Sequence, residues 1–430
     1  MTSIKISHNT ALPLRLANRH GLVTGSTGSG KTTTAASLIE QFSAAGVPVF
    51  ASDVKGDLAG LSRSAPVRFL DLFSKHGEPV RTSVQEVGAL LVGSILSLND
   101  SQSGALQIAY KQAEDDRDYM LTLDDLRWRL NDMIENREDV CRRYGNVTAA
   151  SIAAIQRQIL ALEAQGADRM FGEPRFDINE LMATSDGKGL VTLLHADQLL
   201  EAPKLYATFL LWLLTELFRV MPEAGDLAKP KLVFFFDEAH LLFRDAPKAL
   251  LHAIERLVRL VRSKGVGVYF VTQSPTDVPT AVLEQLGTRI MHSMRAHTAE
   301  SLRKIRAAAD TIRPNPDIDV KTELPSLAIG EALVSVIGDQ GIPTPAAKVM
   351  IRQPTSPLCP VAIEDRHTVP EATLDPQAAH HQFQRRMLVE RGLNPGPEEL
   401  PPAYEPGLWQ RFVPDFASQP RRGFFARLFA

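Results

Sequence analysis

The sequence predicts an α/β, doubly wound core with a mainly parallel sheet, a helical insertion and an extended C-terminal tail, and three observations carry that prediction. Near-continuous apolar runs such as LVFFF (232–236) and VGVYFV (266–271) alternate with amphipathic helical stretches, as a sheet covered on both faces requires. After residue 73 strand signals vanish for about a hundred residues while helical spacing persists. Twelve of the 28 prolines fall in the last 78 residues, where periodic apolar structure is sparse, so that segment reads as a tail.

Taken in order, HGLVT (20–24) is a short apolar run that passes into glycines and then a helix-compatible stretch ending at Gly46. VPVFAS (47–52) is a second strand and ends in the polar turn DVKGD (53–57). Strand, helix and strand form a right-handed crossover unit of a parallel sheet. VRFLDLF (67–73) is a further strand. The insertion holds helix-like spacing over 84–98, a capping box at Thr122-Leu123-Asp124-Asp125 and an Ala/Gln-rich helix near 148–165. Strands return at 190–195, 232–236, 266–272, 289–294 and 332–337. The greasiest stretch, YATFLLWLLTELF (206–218), is interrupted by Thr208, Thr215 and Glu216 and is too short to span a bilayer, so it reads as a buried helix. The expected organisation is a core of 1–80 and 186–352, the insertion at 81–185 and the tail at 353–430. The tail closes on RRGFFARLFA, a short amphipathic segment suited to packing on its own domain or a neighbour, with membrane-surface attachment as the alternative.

At 430 residues, 44% of them hydrophobic, the chain can bury a large core. Its net charge of -3 excludes a global basic field, so any nucleic-acid contact must use a local patch. Cys141 and Cys359 have no Cys or His at metal-ligand spacing and read as reduced thiols. That usage, with no apolar leader at the start, fits a cytoplasmic protein without a stable membrane span.

The chemistry lies in three segments. Gly25-Ser26-Thr27-Gly28-Ser29-Gly30-Lys31-Thr32 matches G-x-x-x-x-G-K-[ST] between a strand and a helix. Its glycines let backbone N–H groups and the helix N-terminus meet phosphates. Lys31 is placed to bridge the β and γ oxygens, Thr32 to offer its hydroxyl to magnesium, and Thr33 to reach the α-phosphate side. The apolar strand LVFFF then delivers Asp237, for magnesium through its water shell, and Glu238, to polarise the attacking water. The same pair would also suit a plain cap on the turn that follows. A third strand ends in Gln273, where an amide can sense the γ-phosphate or orient water. Together these residues predict an ATP- and Mg2+-dependent ATPase. Positive charge for the transferring phosphoryl group is sought among Arg256, Arg259 and Arg262 of IERLVRLVRSKG, which also suit a solvated face. Arg262 is the first choice, Arg19 the second and Arg289 the third.

With the phosphate loop, DEAHLLF and VTQSP in this order, the sequence resembles the HerA and FtsK superfamily of hexameric ATPase motors. NRHGLVTGSTGSGKT (18–32), PVFASDVKGDLAG (48–60), LYATFLLWLLTELF (205–218), KPKLVFFFDEAHLLF (229–243), VRLVRSKGVGVYFVTQSP (258–275) and GEALVS (330–335) are similar to the YjgR group of HerA-like proteins. The resemblance spans about residues 10–352 and implies a RecA-like core, ATP hydrolysis, a homo-oligomeric and hexameric ring with sites at subunit boundaries, and translocase or helicase activity on DNA. It carries Lys31 and Thr32 to the phosphate-loop roles, Asp237 and Glu238 to the metal-binding and catalytic acids, Gln273 to the sensor, and Arg262 and Arg19 to positions for interface arginines. Three departures stand out: about 20 residues precede the first strand where HerA motors carry a β-barrel, Lys55 stands in a loop that is acidic and histidine-containing in HerA proteins, and the proline-rich end is unlike theirs.

A DNA motor is therefore the leading expectation. An ATPase acting on or switched by a protein client is the alternative, favoured by the acidic balance, the insertion and the apolar end. His195, His240 and His297 read as packing or supporting groups rather than ligands.

Overall fold

The computed structural model describes residues 2–366 other than 74, 174–175, 197–201, 226, 245–247, 296–297, 339 and 363–365. His297 and RRGFFARLFA lie outside the described residues. The chain divides into two compact units, one from the described residues of 1–70 and 177–367, the other from those of 71–176.

The first unit opens on an antiparallel pair, β1 (Ser3–Lys5) and β2 (Ala11–Pro13). Three-residue strands carry no readable period, and the sequence reading has none there. β3 (Gly21–Thr24), α1 (Lys31–Ala44), β4 (Val49–Asp53) and β5 (Val67–Asp71) follow.

Among its described residues the second unit holds the two-residue β6 (Glu78–Pro79) and five α-helices: α2 (Val84–Ile95), α3 (Asp100–Asp116), α4 (Leu123–Glu135), α5 (Arg137–Tyr144) and α6 (Ala149–Glu163). α2 is broken at Gly88 (φ 80°, ψ 157°). The capping box before α4 forms as read: the Thr122 hydroxyl accepts from the Asp125 N–H at 3.3 Å and the Asp125 carboxylate from the Thr122 N–H at 2.8 Å.

The first unit resumes with a short pair, β7 (Thr184–Ser185) and β8 (Lys188–Gly189), then β9 (Val191–His195). Next come α7 (Pro203–Val220), with proline at its first turn, β10 (Leu232–Phe236), α8 (His240–Phe243), α9 (Lys248–Val261) and β11 (Val266–Thr272). It closes with α10 (Thr280–Leu283), β12 (Thr288–His292), α11 (Ala299–Ala309), α12 (Val320–Ser326), β13 (Glu331–Ser335) and β14 (Ala347–Met350).

The main sheet of this unit runs β14-β13-β12-β3-β11-β10-β4-β9-β5. Pairs from β12 through β9 are parallel, whereas β13 is antiparallel to both β12 and β14. This is the expected doubly wound α/β fold of RecA-like type with an antiparallel edge. Alternate residues face opposite sides. On one side Phe42 of α1 meets Phe235 and Tyr269 at centroid distances of 6.2 and 5.9 Å. On the other, Phe234 and Phe236 pack with Phe50, Phe270 and one another, and Phe243 meets Phe270 edge-on. Each such ring removed from water contributes about 1.5–3 kcal/mol. α7 buries Tyr206, Phe209, Leu210, Leu213 and Leu217 completely, and among the described residues no helix is long and apolar enough to cross a membrane.

The start of the proline-rich segment is extended but tied down. The Arg352 N–H donates to Ile6 O (2.9 Å), the Thr355 N–H to Glu40 Oε2 (2.7 Å) and the Ser356 hydroxyl to Ser64 Oγ (2.6 Å).

Candidate functional site

Adjacent parallel strands in register end together, so the segments after them share one rim of the sheet. Thr24 of β3 lies opposite Thr272 of β11, Phe236 of β10 opposite Phe270, and Ala51 of β4 opposite Phe235. The phosphate loop, Asp237 with Glu238, Gln273 and the 54–57 loop therefore meet at the carboxyl ends of the strands, where open α/β sheets bind ligands.

The phosphate loop is shaped by backbone that side chains resist: Gly25, Gly28 and Gly30 have φ of 151°, 78° and 114°. Thr27 and Gly28 form its exposed tip, while Thr32 and Thr33 sit half-buried in the first turn of α1. Ser29 closes the loop by donating to Ser26 O at 2.7 Å. Ser26 is anchored to the end of β12, its N–H and hydroxyl both donating to Ser293 O at 2.8 Å. Lys31 Nζ folds over the loop to Gly25 O (2.6 Å) and Ser26 O (3.1 Å). Burial draws its ammonium below the ordinary value, against the pull of Glu238 and Asp237. Beneath the loop, buried His292 lies between the Thr34 hydroxyl (Nε2 to Oγ1, 2.7 Å) and Glu331 O (Nδ1, 3.0 Å). Burial pushes its pKa down to about 4, leaving it neutral; Nδ1–H then donates to Glu331 O, and Nε2 accepts from Thr34. The sequence reading passed over His292: a polar residue closing a buried strand is common, and Gln273 stood out mainly because another strand of the same sheet carries the two acids.

The acids face this loop. Asp237 is held from below: its N–H donates to Ser52 Oγ (2.9 Å), and the Tyr206 hydroxyl reaches Ser52 Oγ (2.7 Å) and Asp237 O (3.1 Å). Burial, then the charge of Glu238, raises the Asp237 pKa to about 6. Burial, then Asp237, raises that of Asp53 to about 7. Buried carboxylates that repel one another in this way favour a cation beside them. No cluster of three or more His, Cys, Asp or Glu side chains able to hold a metal occurs among the described residues. An ion there would take phosphate oxygens and water beside one carboxylate and one hydroxyl, the usual habit of Mg2+, and Asp237 and Thr32 fit that demand. Glu238 carries φ 47°, unusual for a residue with a side chain. Its Oε1 lies 3.6 Å from Lys55 Nζ and its Oε2 3.3 Å from His240 Nδ1.

Gln273 is exposed and lines a 480 Å³ cleft with Ser26, His240, Arg244, Arg295 and Lys304. Its strand end is fixed by Asp277, whose carboxylate accepts from the Thr272 hydroxyl and the Ser274 N–H. Arg262, Arg19 and Arg289 lie elsewhere. Arg19 precedes β3, Arg262 precedes β11, and Arg289 sits at the start of β12, so all three occupy the opposite rim. A seven-residue strand puts about 20 Å between Arg262 and Gln273. Arg262 and Arg19 both bear on buried His20, whose pKa burial, aided by these two charges, pushes down to about 4. Within one chain both arginines therefore lie on the rim opposite the loop that holds Lys31.

A phosphate cradle facing acids suited to a hydrated cation, on a sheet of this topology, is the chemistry of RecA-like P-loop NTPases. Comparison with known families is more specific. The chain belongs to the helicase HerA-like C-terminal family, whose model matches residues 2–65 and 61–385. It is 24% identical over 380 residues to a probable helicase of Methanocaldococcus jannaschii, covering 80% of this chain and 68% of that one. Among solved structures, the bacterial conjugative coupling protein TrwB superposes with a TM-score of 0.59 at 14% identity, over 84% of this chain and 92% of that one. TrwB in complex with ADP and Mg2+ gives 0.57 at 15%, over 84% and 90%. VirB4 of Thermoanaerobacter pseudethanolicus gives 0.53 at 14%, over 80% and 95%. At such identities the likeness is one of fold.

Proposed function

We propose that the chain is an ATP-hydrolysing motor of the HerA-like type, similar to the YjgR group, that translocates or unwinds DNA as a homo-oligomeric, hexameric ring in the cytoplasm. The observation that supports it most is the meeting of Lys31, Asp237, Glu238 and Gln273 on one sheet rim, from strands adjacent in space but far apart in sequence. In this reading the ATPase core is 1–80 with 186–352, and the helical domain at 81–185 is inserted into it. The loop from Gly25 to Gly30 wraps the phosphates, Lys31 leaves the loop carbonyls for the β and γ oxygens, and Thr33 supports the α-phosphate side. Thr32 and, through water, Asp237 would hold Mg2+, which would supply positive charge against that developing on the phosphates. Glu238 takes a proton from the attacking water and Gln273 orients it. Arg262 and Arg19, remote from their own phosphates, would act on those of the next subunit. The relatives include a probable helicase and a conjugative coupling protein, and in this reading the polymer is DNA.

The test is steady-state hydrolysis with and without single- and double-stranded DNA at two salt concentrations, with Glu238→Gln as the blank. Several-fold, salt-sensitive stimulation supports the DNA motor. Glu238-dependent turnover that no DNA changes removes it and leaves the protein-client ATPase. No hydrolysis above the blank removes the ATPase reading itself.

A further inference from the structure

Glu238 is held unsymmetrically, and the asymmetry has a chemical use. β4 and β10 are neighbours, so the loop after β4 faces the turn after β10. That loop is itself fixed: Gly56 takes φ 77°, and the Asp53 carboxylate accepts from the Leu58 N–H at 3.1 Å. From it Lys55 reaches Glu238 Oε1 at 3.6 Å, its own side chain 44% exposed against 11% for the glutamate. The other oxygen, Oε2, is buried and makes no hydrogen bond, although His240 Nδ1 lies 3.3 Å from it. The left-handed backbone at Glu238 is the kind of strain that persists only where surrounding contacts over-determine it.

We propose that Lys55 is a positioning residue for Glu238: it engages Oε1 and so leaves Oε2, which makes no hydrogen bond, as the acceptor for the attacking water. A glutamate carboxyl turns readily about its last torsion, and an oxygen engaged by a cation on one side removes that freedom. As the water oxygen bonds to the γ-phosphorus, the bond from phosphorus to the β–γ bridging oxygen breaks and its electron pair stays on ADP. The water proton passes to Oε2 and then to solvent. Lys55 neither gives nor takes a proton. This inference rests on the reading of Glu238 as the water-activating group.

The experiment uses the full chain with Mg2+-ATP and compares Lys55→Met and Lys55→Arg, each alone and combined with Glu238→Gln. It measures kcat, KM, residual single-turnover rate, and equilibrium affinity for a fluorescent ATP analogue. Lys55→Met is expected to lower kcat about 10- to 100-fold, the usual effect of losing a group that orients a reacting one. KM should stay within about twofold, and Lys55→Arg should restore most of the rate. With Glu238→Gln, adding Lys55→Met should change neither the residual rate nor the analogue affinity, because the residue it acts through is already disabled. An undiminished kcat in Lys55→Met overturns the proposal. So does weakened analogue binding in the double variant, which would mean that Lys55 touches the nucleotide directly. If Glu238→Gln hydrolyses ATP like the unaltered chain, the role of Glu238 fails as well, and that result is separate from any effect of Lys55.

Discussion

Arg129 sits in α4 with its side chain wholly enclosed, an arrangement tolerable only because carboxylates meet it. Nη1 lies 2.7 Å from Asp116 and 3.4 Å from Asp132, and Nη2 lies 2.5 Å from Asp118. The three acids differ in burial: the Asp118 side chain is 5% exposed, against 27% for Asp116 and 20% for Asp132. Arg129→Met keeps most of the volume and removes the charge. The two pairs to the more exposed acids are worth about 0.2–1 kcal/mol each, whereas Asp118 becomes a buried, unpaired anion, which costs about 3–5 kcal/mol. The pH dependence follows from the Asp118 carboxyl, which burial already holds above its ordinary value against the pull of Arg129. Without Arg129 it rises further, so the folded chain binds that proton more tightly than the unfolded one. The loss is then largest at neutral pH and shrinks as pH falls below the raised folded value. Hydrogen exchange across α3 and α4 reads the local opening free energy without requiring the whole chain to unfold at once. The expected result is about 3–5 kcal/mol less protection at pH 7, partly recovered by Asp118→Asn or by acid. A loss under about 1 kcal/mol, or one that grows in acid, refutes the reasoning.

Gly25→Ala puts a methyl 2.5 Å from Ser29 Oγ and 2.6 Å from His292 Cβ at φ 151°, so ATP affinity should fall at least about tenfold and stability by about 1–3 kcal/mol. Gly28→Ala meets nothing within 4 Å, although its φ of 78° is still strained, and should cost only about 1 kcal/mol; calorimetric titration with ATP and thermal unfolding separate the two. His20, with its pKa pushed down to about 4 from 6.5, stays neutral in the fold while the unfolded chain takes up a proton. Its contribution, up to about 3 kcal/mol, is thus complete above about pH 6.5 and lost as pH falls towards about 4. His20→Asn keeps an acceptor for the Val268 N–H, which now donates to His20 Nδ1 at 3.0 Å, and should lose less Tm between pH 7 and 5 than the unaltered chain. An equal drop in both would mean that His20 does not titrate in this way.

Particular elements show how far the sequence could be read. The buried strands, β9, β10 and β11, lie within one residue of the apolar runs that predicted them, because both faces of each are covered and most positions are apolar. β14 and the β1–β2 pair went unread: they are edge or isolated strands of three or four residues, too short to carry a readable period. The phosphate loop and the acids were legible because their chemistry requires fixed residue types at fixed spacing. His292, Ser52 and Tyr206 were not, since each works through a partner more than 30 residues away.

The sequence alone determined what each segment can be: a glycine loop that wraps an anion, a strand that ends in two acids, a capped helix. These are local properties, set by backbone sterics and side-chain period within a few residues. Only the tertiary structure decided which segments meet. The sheet order brings β3, β11, β10 and β4 side by side although they are far apart along the chain, and from that follow the Lys55–Glu238 pair, the His292 support under the phosphate loop, and Arg262 and Arg19 on the far rim. Strand order follows from which faces bury against which helices, a contest among distant parts of the chain that no short stretch of sequence records.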